Sequence, residues 1–242
     1  MKPKVLKQNF SVKLFVLASL ANFILLATLL VFSKVYFGSN IKVDSKENNI
    51  HYSASQDPLI TKVPTLKDLL DGPIINNLDP NIGSDEAQVV IVIFSDFECQ
   101  YCHSQEKVLA QVLANYEDKV RLIWKDYPSS DPDSKSFKAA VAGRCAGEQG
   151  KFWSFHDLLF ASRDLDGSMF IKLAQELGLK EKTFSKCLED IEIYKLIYDN
   201  IIEAQALDIN GVPFIYVGKQ EVLGEISYEE LKRMVEAELK KN

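Results

Sequence analysis

The chain has 242 residues, of which 47% are hydrophobic and 26% are charged, which is typical of a globular protein with one sizeable domain. Its 28 basic and 34 acidic residues give a net charge of -6. A negative balance disfavours binding to a phosphate backbone, so we expect no nucleic-acid partner.

An uncharged apolar stretch runs from Leu14 to Ser33, and its length suits a transmembrane helix. The positive-inside rule predicts that its basic flank stays in the cytoplasm and that everything after Ser33 is exported. We therefore expect residues 1–33 to form a cytoplasmic N-terminus and a transmembrane signal-anchor. A signal peptide cleaved after Val31-Phe32-Ser33 is the alternative. The lysines of the flank, which no acidic residue interrupts, are Lys2, Lys4, Lys7 and Lys13.

The segment that follows, residues 34–80, is expected to be a tether. Between Asn40 and Gly83 the composition turns to Asn, Ser, Asp, Lys and Pro, with only short apolar pieces. One short helix is predicted near Thr65 to Leu70. The folded domain is predicted at residues 81–242.

The first strand of that domain is predicted from Gln88 to Phe94, where Val and Ile dominate. A helix is predicted from about Cys99 to Tyr116, and a second strand from Val120 to Trp124. Two parallel strands joined by a helix require a right-handed crossover, so these elements predict a βαβ unit.

The helix of this unit begins with Cys99-Gln100-Tyr101-Cys102, and a C-x-x-C at this position is typical of dithiol chemistry. The free N–H groups and the positive end of the helix dipole stabilise the thiolate of Cys99, which makes it the candidate nucleophile. Cys102, one turn later, can close a disulfide on Cys99 or release a partner that Cys99 has captured. We therefore predict a catalytic, redox-active pair that needs no cofactor.

Helical patterns then run from Ser136 to about Leu207. Two strands follow at Phe214 to Val217 and at Glu221 to Leu223, joined by a turn at Gly218-Lys219, and an amphipathic helix runs from Tyr228 to Lys240. The chain is thus predicted to close with a ββα unit.

Three pieces of sequence resemble the DsbA-like group of thiol:disulfide oxidoreductases. The resemblance covers the chain from about Ile82 to the C-terminus and implies an α/β, thioredoxin-like fold (βαβ and ββα) with a helical insertion at about residues 134–208, here preceded by an N-terminal membrane helix. It also implies that Pro213 follows a cis peptide bond that faces the two cysteines. The three pieces are Phe94 to Cys102, Ala142 to Ala146 with Gly150 to Trp153, and Gly211 to Phe214.

In the same comparison, Val212 offers a backbone edge with which a substrate strand can pair beside Cys99. Phe97, Tyr101 and Gln100 flank the cysteines and are expected to belong to a docking surface for unfolded chains, together with Phe214.

Two positions depart from the family pattern. The proline that close relatives have between the cysteines is Gln100, and the buried acid that many thioredoxin-fold enzymes have six residues before the first cysteine is Ile93. Proton transfer from Cys102 is therefore unassigned. Asp96 and Glu98 lie nearby and are either proton carriers or solvated loop residues.

With His103 added, the motif also matches C-x-x-C-H, the attachment signature of a c-type haem. A haem would need His103 and a second axial ligand such as Met169 or Met234. The β-branched strand before the motif does not suit that interpretation, and a closed zinc site would lack a fourth ligand, so we expect neither haem nor metal. His103 then either tunes the thiolate or has no role.

Cys145 and Cys187 fall in predicted helices, and their spacing matches no redox motif. In an oxidising compartment an even number of cysteines favours two pairs, so we expect a structural disulfide between them. Two buried free thiols are the alternative.

We therefore expect a thiol:disulfide oxidoreductase that is anchored in the cytoplasmic membrane and has its catalytic domain in the periplasm or extracytoplasmic space. Its expected partners are unfolded or reduced exported proteins and a membrane redox partner that recycles it. Val212 resembles the oxidant members of the family, which favours disulfide formation. A reductase or isomerase, for instance in cytochrome maturation, and a chaperone-like binding module remain as alternatives.

Overall fold

The computed structural model describes residues 70–162 and 164–241. The predicted membrane segment at residues 14–33 and the tether up to residue 69 lie outside this part of the chain. Within the part described, no helix has both the length and the apolar character that crossing a bilayer requires.

The described chain forms a five-stranded sheet and seven α-helices. In chain order the elements are β1 (Asn81–Gly83), β2 (Val89–Ser95), α1 (Gln100–Tyr116), a 3-10 turn (Glu117–Lys119), β3 (Val120–Asp126), α2 (Lys135–Gly147), α3 (Phe152–Ala161), α4 (Gly167–Glu176), α5 (Glu181–Cys187), α6 (Ile191–Ala206), β4 (Phe214–Val217), β5 (Gln220–Leu223) and α7 (Tyr228–Leu239).

The sheet has the strand order β1-β3-β2-β4-β5. β2 runs parallel to β3 and antiparallel to β4, while the outer strands β1 and β5 are antiparallel to their neighbours. The β2-α1-β3 and β4-β5-α7 units are joined through helices α2 to α6. The thioredoxin-like α/β fold with a helical insertion is therefore confirmed.

Strand β2 lies at the centre of the sheet because both of its faces are apolar. Ile91 and Ile93 point into one core, while Val92 and Phe94 point into a second core on the other face. A strand buried on both faces has a nearly continuous apolar sequence, which is why Val89 to Phe94 lacks polar alternation. The central position of β2 places its carboxyl end, and the cysteines that follow it, in the middle of the side of the sheet where β2 and β3 end.

Helix α2 is the first helix of the insertion. Ser134 caps α2, and its side chain accepts the N–H of Phe137 at 3.1 Å. The last helix, α7, begins with a capping box in which Ser227 and Glu230 satisfy each other's backbone N–H groups.

The structure differs from the sequence prediction at the start of the domain. Residues 70–80 were expected in the tether, but they lie against the domain and lead into β1, a three-residue edge strand that was not predicted. The physical reason is a buried cation, Lys125 on β3, which forms ion pairs with Asp79 at 2.8 Å and Glu203 at 3.0 Å. Because a buried ammonium group requires nearby counter-charges, Asp79 is drawn into the interior.

A second buried cation reinforces this attachment. Arg144 on α2 forms an ion pair with Asp126 at 2.5 Å and donates to the backbone oxygen of Leu78 at 2.6 Å. It also donates to Asn200 on α6 at 2.8 Å. Arg144 therefore connects the sheet, the insertion and the entering segment by charge-assisted hydrogen bonds.

Candidate functional site

The two cysteines of the motif lie at the start of α1, where the carboxyl end of β2 turns into the helix. Cys99 is the N-cap residue, and its sulfur accepts the N–H of Cys102 at 3.3 Å. Its carbonyl oxygen accepts the N–H of His103 at 3.1 Å. Since this sulfur faces a backbone donor and the positive helix end, negative charge on it is stabilised.

Cys102 is in a different environment, although both residues are free thiols. Cys99 is half-buried, whereas Cys102 is fully buried. Burial raises the pKa of the Cys102 thiol, and its interaction with Cys99 raises that pKa further; the Ser95 hydroxyl and the Asp96 backbone act in the opposite direction. The pair therefore combines one accessible sulfur with one sulfur that holds its proton.

The Val212–Pro213 peptide bond, far away in the sequence, meets this pair in space, and it is cis. The thiol of Cys99 donates to the backbone oxygen of Val212, with 3.6 Å between sulfur and oxygen. Pro213 is bound in turn to the end of β5, because its carbonyl oxygen accepts the N–H of Gly224 at 2.8 Å. The backbone of Val212 is thus fixed beside the accessible sulfur.

The side chains expected in a docking surface divide into two groups. Gln100 and Tyr101 are exposed at the start of α1, with Tyr101 59% accessible. Phe97, in contrast, is buried under the cysteine loop and stacks on Trp124 with 5.0 Å between ring centroids. Phe214 is also buried and contacts Tyr216. These two phenylalanines offer no open apolar face, because Phe97 packs in one hydrophobic core of the domain and Phe214 packs in the other.

Asp96, Glu98 and His103 precede or follow the pair in the chain. Burial raises the pKa of Asp96, whose carboxylate accepts the N–H of Glu98 at 2.9 Å. Glu98 and His103 are exposed, and the His103 ring lies 6.0 Å from that of Phe160. Of the three, only Asp96 lies beside the buried sulfur, through its backbone.

Cys145 on α2 and Cys187 at the end of α5 are joined by a disulfide that closes a loop of 42 residues. Cys145 is fully buried in the core of the insertion. This bond is separate from the Cys99–Cys102 pair and joins two helices of the insertion.

Three polar residues on β2, α1 and α3 were not singled out by the sequence. Ser95 is buried at the end of β2, and Cys102 is the polar side chain beside it. Glu106 on α1 and His156 on α3 approach each other, with 3.4 Å between Oε2 and Nε2, and burial raises the pKa of Glu106 to about 7. Only the helical spacing of Cys102 and Glu106, four residues apart, pointed to a shared face.

Groups of side chains that suit a metal ion were also sought. Among residues 70–162 and 164–241, no three His, Cys, Asp or Glu side chains converge in a way that would hold one.

Comparison with known proteins finds a matching family model and similar proteins. A family model described as thioredoxin matches residues 76–237. The probable disulfide bond formation protein D of Bacillus anthracis is 31% identical over 172 residues, which are 66% of this chain and 78% of that protein.

Two further similarities concern a longer protein and a solved structure. The Na(+)/H(+) antiporter NhaA 3 of Salinispora tropica is 32% identical over 164 residues, or 67% of this chain, and the chain spans only 25% of that antiporter's length. The crystal structure of a thioredoxin-like oxidoreductase from Silicibacter pomeroyi DSS-3 is similar with a TM-score of 0.62 and 28% identity, covering 68% of this chain and 94% of that one.

Proposed function

The chain belongs to the thioredoxin family, in its DsbA-like group of thiol:disulfide oxidoreductases, and on that basis we propose that it exchanges disulfides with protein substrates through Cys99 and Cys102. The observation that carries the proposal is the contrast between the two sulfurs. Cys99 caps α1 and is accessible, whereas Cys102 is buried and its pKa is raised by burial.

The proposed reaction starts from the oxidised pair. A substrate thiolate attacks Cys99 and forms a mixed disulfide, while the bond to Cys102 breaks and Cys102 takes up a proton. A second substrate thiolate then attacks the substrate's own sulfur in that mixed disulfide and expels Cys99 as a thiolate. The substrate has lost two electrons and the enzyme has become a dithiol, so no further cofactor is consumed.

The geometry supports attack at Cys99 and not at Cys102. The backbone oxygen of Val212, 3.6 Å from the Cys99 sulfur, lies where an extended substrate segment would pair with the protein. Exposed Gln100 and Tyr101 border the same sulfur, so we propose them, with Val212 and Pro213, as substrate-docking residues.

We propose that the net direction is oxidation of the substrate. The start of α1 favours a Cys99 thiolate, and stabilisation of that thiolate favours the reduced enzyme. An enzyme whose dithiol form is stabilised in this way readily transfers the disulfide of its oxidised form to other proteins. Reductase and isomerase activities are the competing proposals for the same pair.

The biological setting is proposed on the same basis. Reduced, unfolded exported proteins are the substrates, and a membrane redox partner removes the two electrons that each cycle leaves on the enzyme. The charge-free segment from Leu14 to Ser33 is proposed as the anchor that holds the domain outside the cytoplasm, with residues 34–69 as a tether. Membrane fractionation with and without alkaline carbonate tests this: an anchored chain stays in the pellet, and release into the supernatant contradicts the anchor.

Replacement of each cysteine tests the chemistry. Cys99→Ser is expected to abolish reoxidation of a reduced substrate protein, because the attacked sulfur is gone. Cys102→Ser is expected to accumulate mixed disulfides through Cys99, because Cys102 can no longer attack the mixed disulfide and release the substrate. These mixed disulfides are detected on non-reducing gels. Exchange activity that survives in Cys99→Ser would contradict the mechanism and favour a binding module without redox chemistry.

A further inference from the structure

A cleft lies between α1 and α3, on the face of α1 that points toward the insertion. Its volume is about 420 Å³, which is within the range of clefts that hold small ligands. Ile82 of β1 and Leu122 of β3 line it from the sheet, so the cleft is bounded by three parts of the fold. It belongs to neither the Cys99–Cys102 pair nor the backbone edge at Val212.

Most of the cleft wall is apolar or aromatic. Trp153 and Phe160 contribute aromatic rings from α3, and Leu109, Ala110 and Leu113 contribute aliphatic groups from α1. The indole N–H of Trp153 is already used, since it donates to the backbone oxygen of Asn81 at 2.6 Å. These side chains therefore offer apolar contact area and aromatic surface instead of hydrogen bonds.

Two buried polar atoms in the cleft lack partners. Glu106 Oε1 accepts no hydrogen bond within the described chain, and the other carboxylate oxygen is 3.4 Å from His156 Nε2, which is also without a hydrogen bond. His156 is only 2% accessible, and its Nδ1 is bound to Asp157 at 2.9 Å. A buried carboxylate oxygen without a donor is costly, so the cleft presents an acceptor that a ligand can satisfy.

The charged groups around Glu106 leave its carboxylate without a strong cationic partner. His156 and Asp157 face it from α3, and His103 and Lys107 line the cleft from α1. Lys107 is exposed and, within the part of the chain described, forms no ion pair with Glu106. Burial accordingly raises the pKa of Glu106 to about 7.

We propose that this cleft binds a small organic cation, with a primary ammonium or amidinium group on the Glu106 carboxylate and an apolar stem against Trp153 and Phe160. A cation satisfies the unpaired acceptor by a charge-assisted hydrogen bond, and aromatic faces attract cations as well. A neutral ligand of the same shape lacks the charge, and an anion is repelled by Glu106 and Asp157.

Benzylamine is the probe. It is titrated into the full-length protein, and binding is followed by NMR through the amide chemical shifts of the folded domain. We expect a dissociation constant on the order of 1 mM, with shifts centred on α1 and α3. Benzyl alcohol, the neutral match, is expected to bind at least about 10-fold more weakly, because it lacks the charge-assisted hydrogen bond. Phenylacetate is expected not to bind. Equal binding of benzylamine and benzyl alcohol would overturn the proposal.

Two variants and one control localise the site. Glu106→Gln keeps the shape of the side chain and is expected to weaken benzylamine at least about 10-fold, while leaving benzyl alcohol unchanged. Ala110→Leu fills the cleft and is expected to prevent binding of both probes. Ala114→Leu lies on the same helix, is exposed and does not line the cleft, so it is the matched control. Unchanged benzylamine binding in Glu106→Gln or in Ala110→Leu contradicts the site.

The pH dependence separates Glu106 from its neighbours. Benzylamine stays protonated around neutral pH, so its affinity for the native protein is expected to fall as the pH is lowered through about 7 and Glu106 takes up a proton. His103 and His156 are present in both proteins, so the part of this fall that is absent in Glu106→Gln belongs to Glu106. A fall of equal size in both proteins would contradict the role of Glu106.

The same ammonium chemistry is present on lysine side chains of proteins. A blocked tripeptide with a central lysine provides the comparison, because it carries the group on a peptide backbone. The proposal of a free small cation predicts that benzylamine binds more tightly than this tripeptide. Tighter binding of the tripeptide at the same resonances would contradict the assignment to a free cation.

Discussion

At the scale of single residues, the two cysteines differ because the backbone around them differs. The Cys99 sulfur replaces a polar side chain at the N-cap of α1, whereas the Cys102 sulfur lies one turn later against the core. Two chemically identical thiols thus differ in their accessibility and in the backbone groups that face them. The exchange mechanism that we propose depends on this difference.

Ser95 provides a prediction at this scale. Burial raises the pKa of Cys102, and the Ser95 hydroxyl partly offsets that effect. Ser95→Ala is expected to raise that pKa further and to slow release of a captured substrate by Cys102, which attacks as a thiolate. Loss of about 1 kcal/mol of stabilisation of the Cys102 thiolate by this hydroxyl corresponds to a roughly 5-fold slower release.

Rapid-mixing measurements of mixed-disulfide breakdown over a range of pH provide the test of Ser95. Ser104→Ala, on the exposed side of α1, is the control. A rate and a pH profile that do not change in Ser95→Ala would show that the hydroxyl has no influence on the sulfur.

Some residues of the site could be predicted from the sequence, whereas others could not, and the difference has a physical reason. Cys99 and Cys102 were predictable because their spacing and their place at a helix start are local features, whereas Pro213 was expected from the resemblance to the DsbA-like group. Glu106 lies in Ser104-Gln105-Glu106-Lys107, a polar run that is typical of a solvent-facing helix turn. Its burial depends on α3, which folds over it from 50 residues away, and no local pattern contains that contact.

Glu106 also yields a prediction about stability. Its pKa is about 7 in the folded protein against 4.5 in the unfolded chain, so the folded protein holds the proton more tightly. The contribution of Glu106 to the free energy of unfolding is therefore fully present below about pH 4.5. It decreases by an amount on the order of 3 kcal/mol as the pH rises toward 7. Glu106→Gln is expected to remove this loss.

Urea unfolding at pH 4.5 and pH 8 measures the effect. The variant and the native protein are expected to differ little at the lower pH, while the variant is the more stable protein at the higher pH. If the difference in free energy of unfolding between the variant and the native protein is the same at pH 4.5 and pH 8, the raised pKa of buried Glu106 is contradicted.

At the scale of secondary-structure elements, two buried cations determine how the entering segment joins the sheet. Lys125 holds Asp79 and Glu203, and Arg144 holds Asp126 and the backbone of Leu78. The central elements were predictable from their apolar patterns, but this segment was not. Its residues are polar and loop-like in sequence, and their order comes from charges on β3 and α2 that only the fold brings near them.

Removal of one buried charge tests this attachment. Lys125→Met leaves Asp79 and Glu203 without their cation and is expected to lower the free energy of unfolding by about 3 to 5 kcal/mol. Lys138→Met, which removes an exposed ion pair with Asp133, is the control and is expected to change it little. Chemical denaturation measures both, and equal effects would show that the buried network contributes no more than a surface pair.

At the scale of the whole molecule, we propose that the two cysteine pairs have separate tasks. The Cys145–Cys187 disulfide lies within the helical insertion, and the exchanging pair lies between the sheet and α1. A molecule that exchanges disulfides and also depends on one for stability must keep the second bond away from attack, and burial of Cys145 does this.

Replacement of both structural cysteines by alanine tests this division of tasks. Opening a loop of 42 residues is expected to lower the free energy of unfolding by about 2 to 5 kcal/mol, since the unfolded chain gains freedom. Exchange activity of the folded variant is expected to stay near the native value. Thermal unfolding combined with an activity assay measures both, and activity lost below the unfolding transition would contradict the separation.

The central claim is that this molecule oxidises its substrates, and the equilibrium redox potential of the Cys99–Cys102 pair tests it most directly. The measurement equilibrates the protein with mixtures of reduced and oxidised glutathione and quantifies the dithiol by alkylation. Stabilisation of the reduced form by the helix start at Cys99 predicts a potential near that of a strong oxidant, roughly -120 mV. A potential of roughly -270 mV, as in a dedicated reductase, would contradict the account.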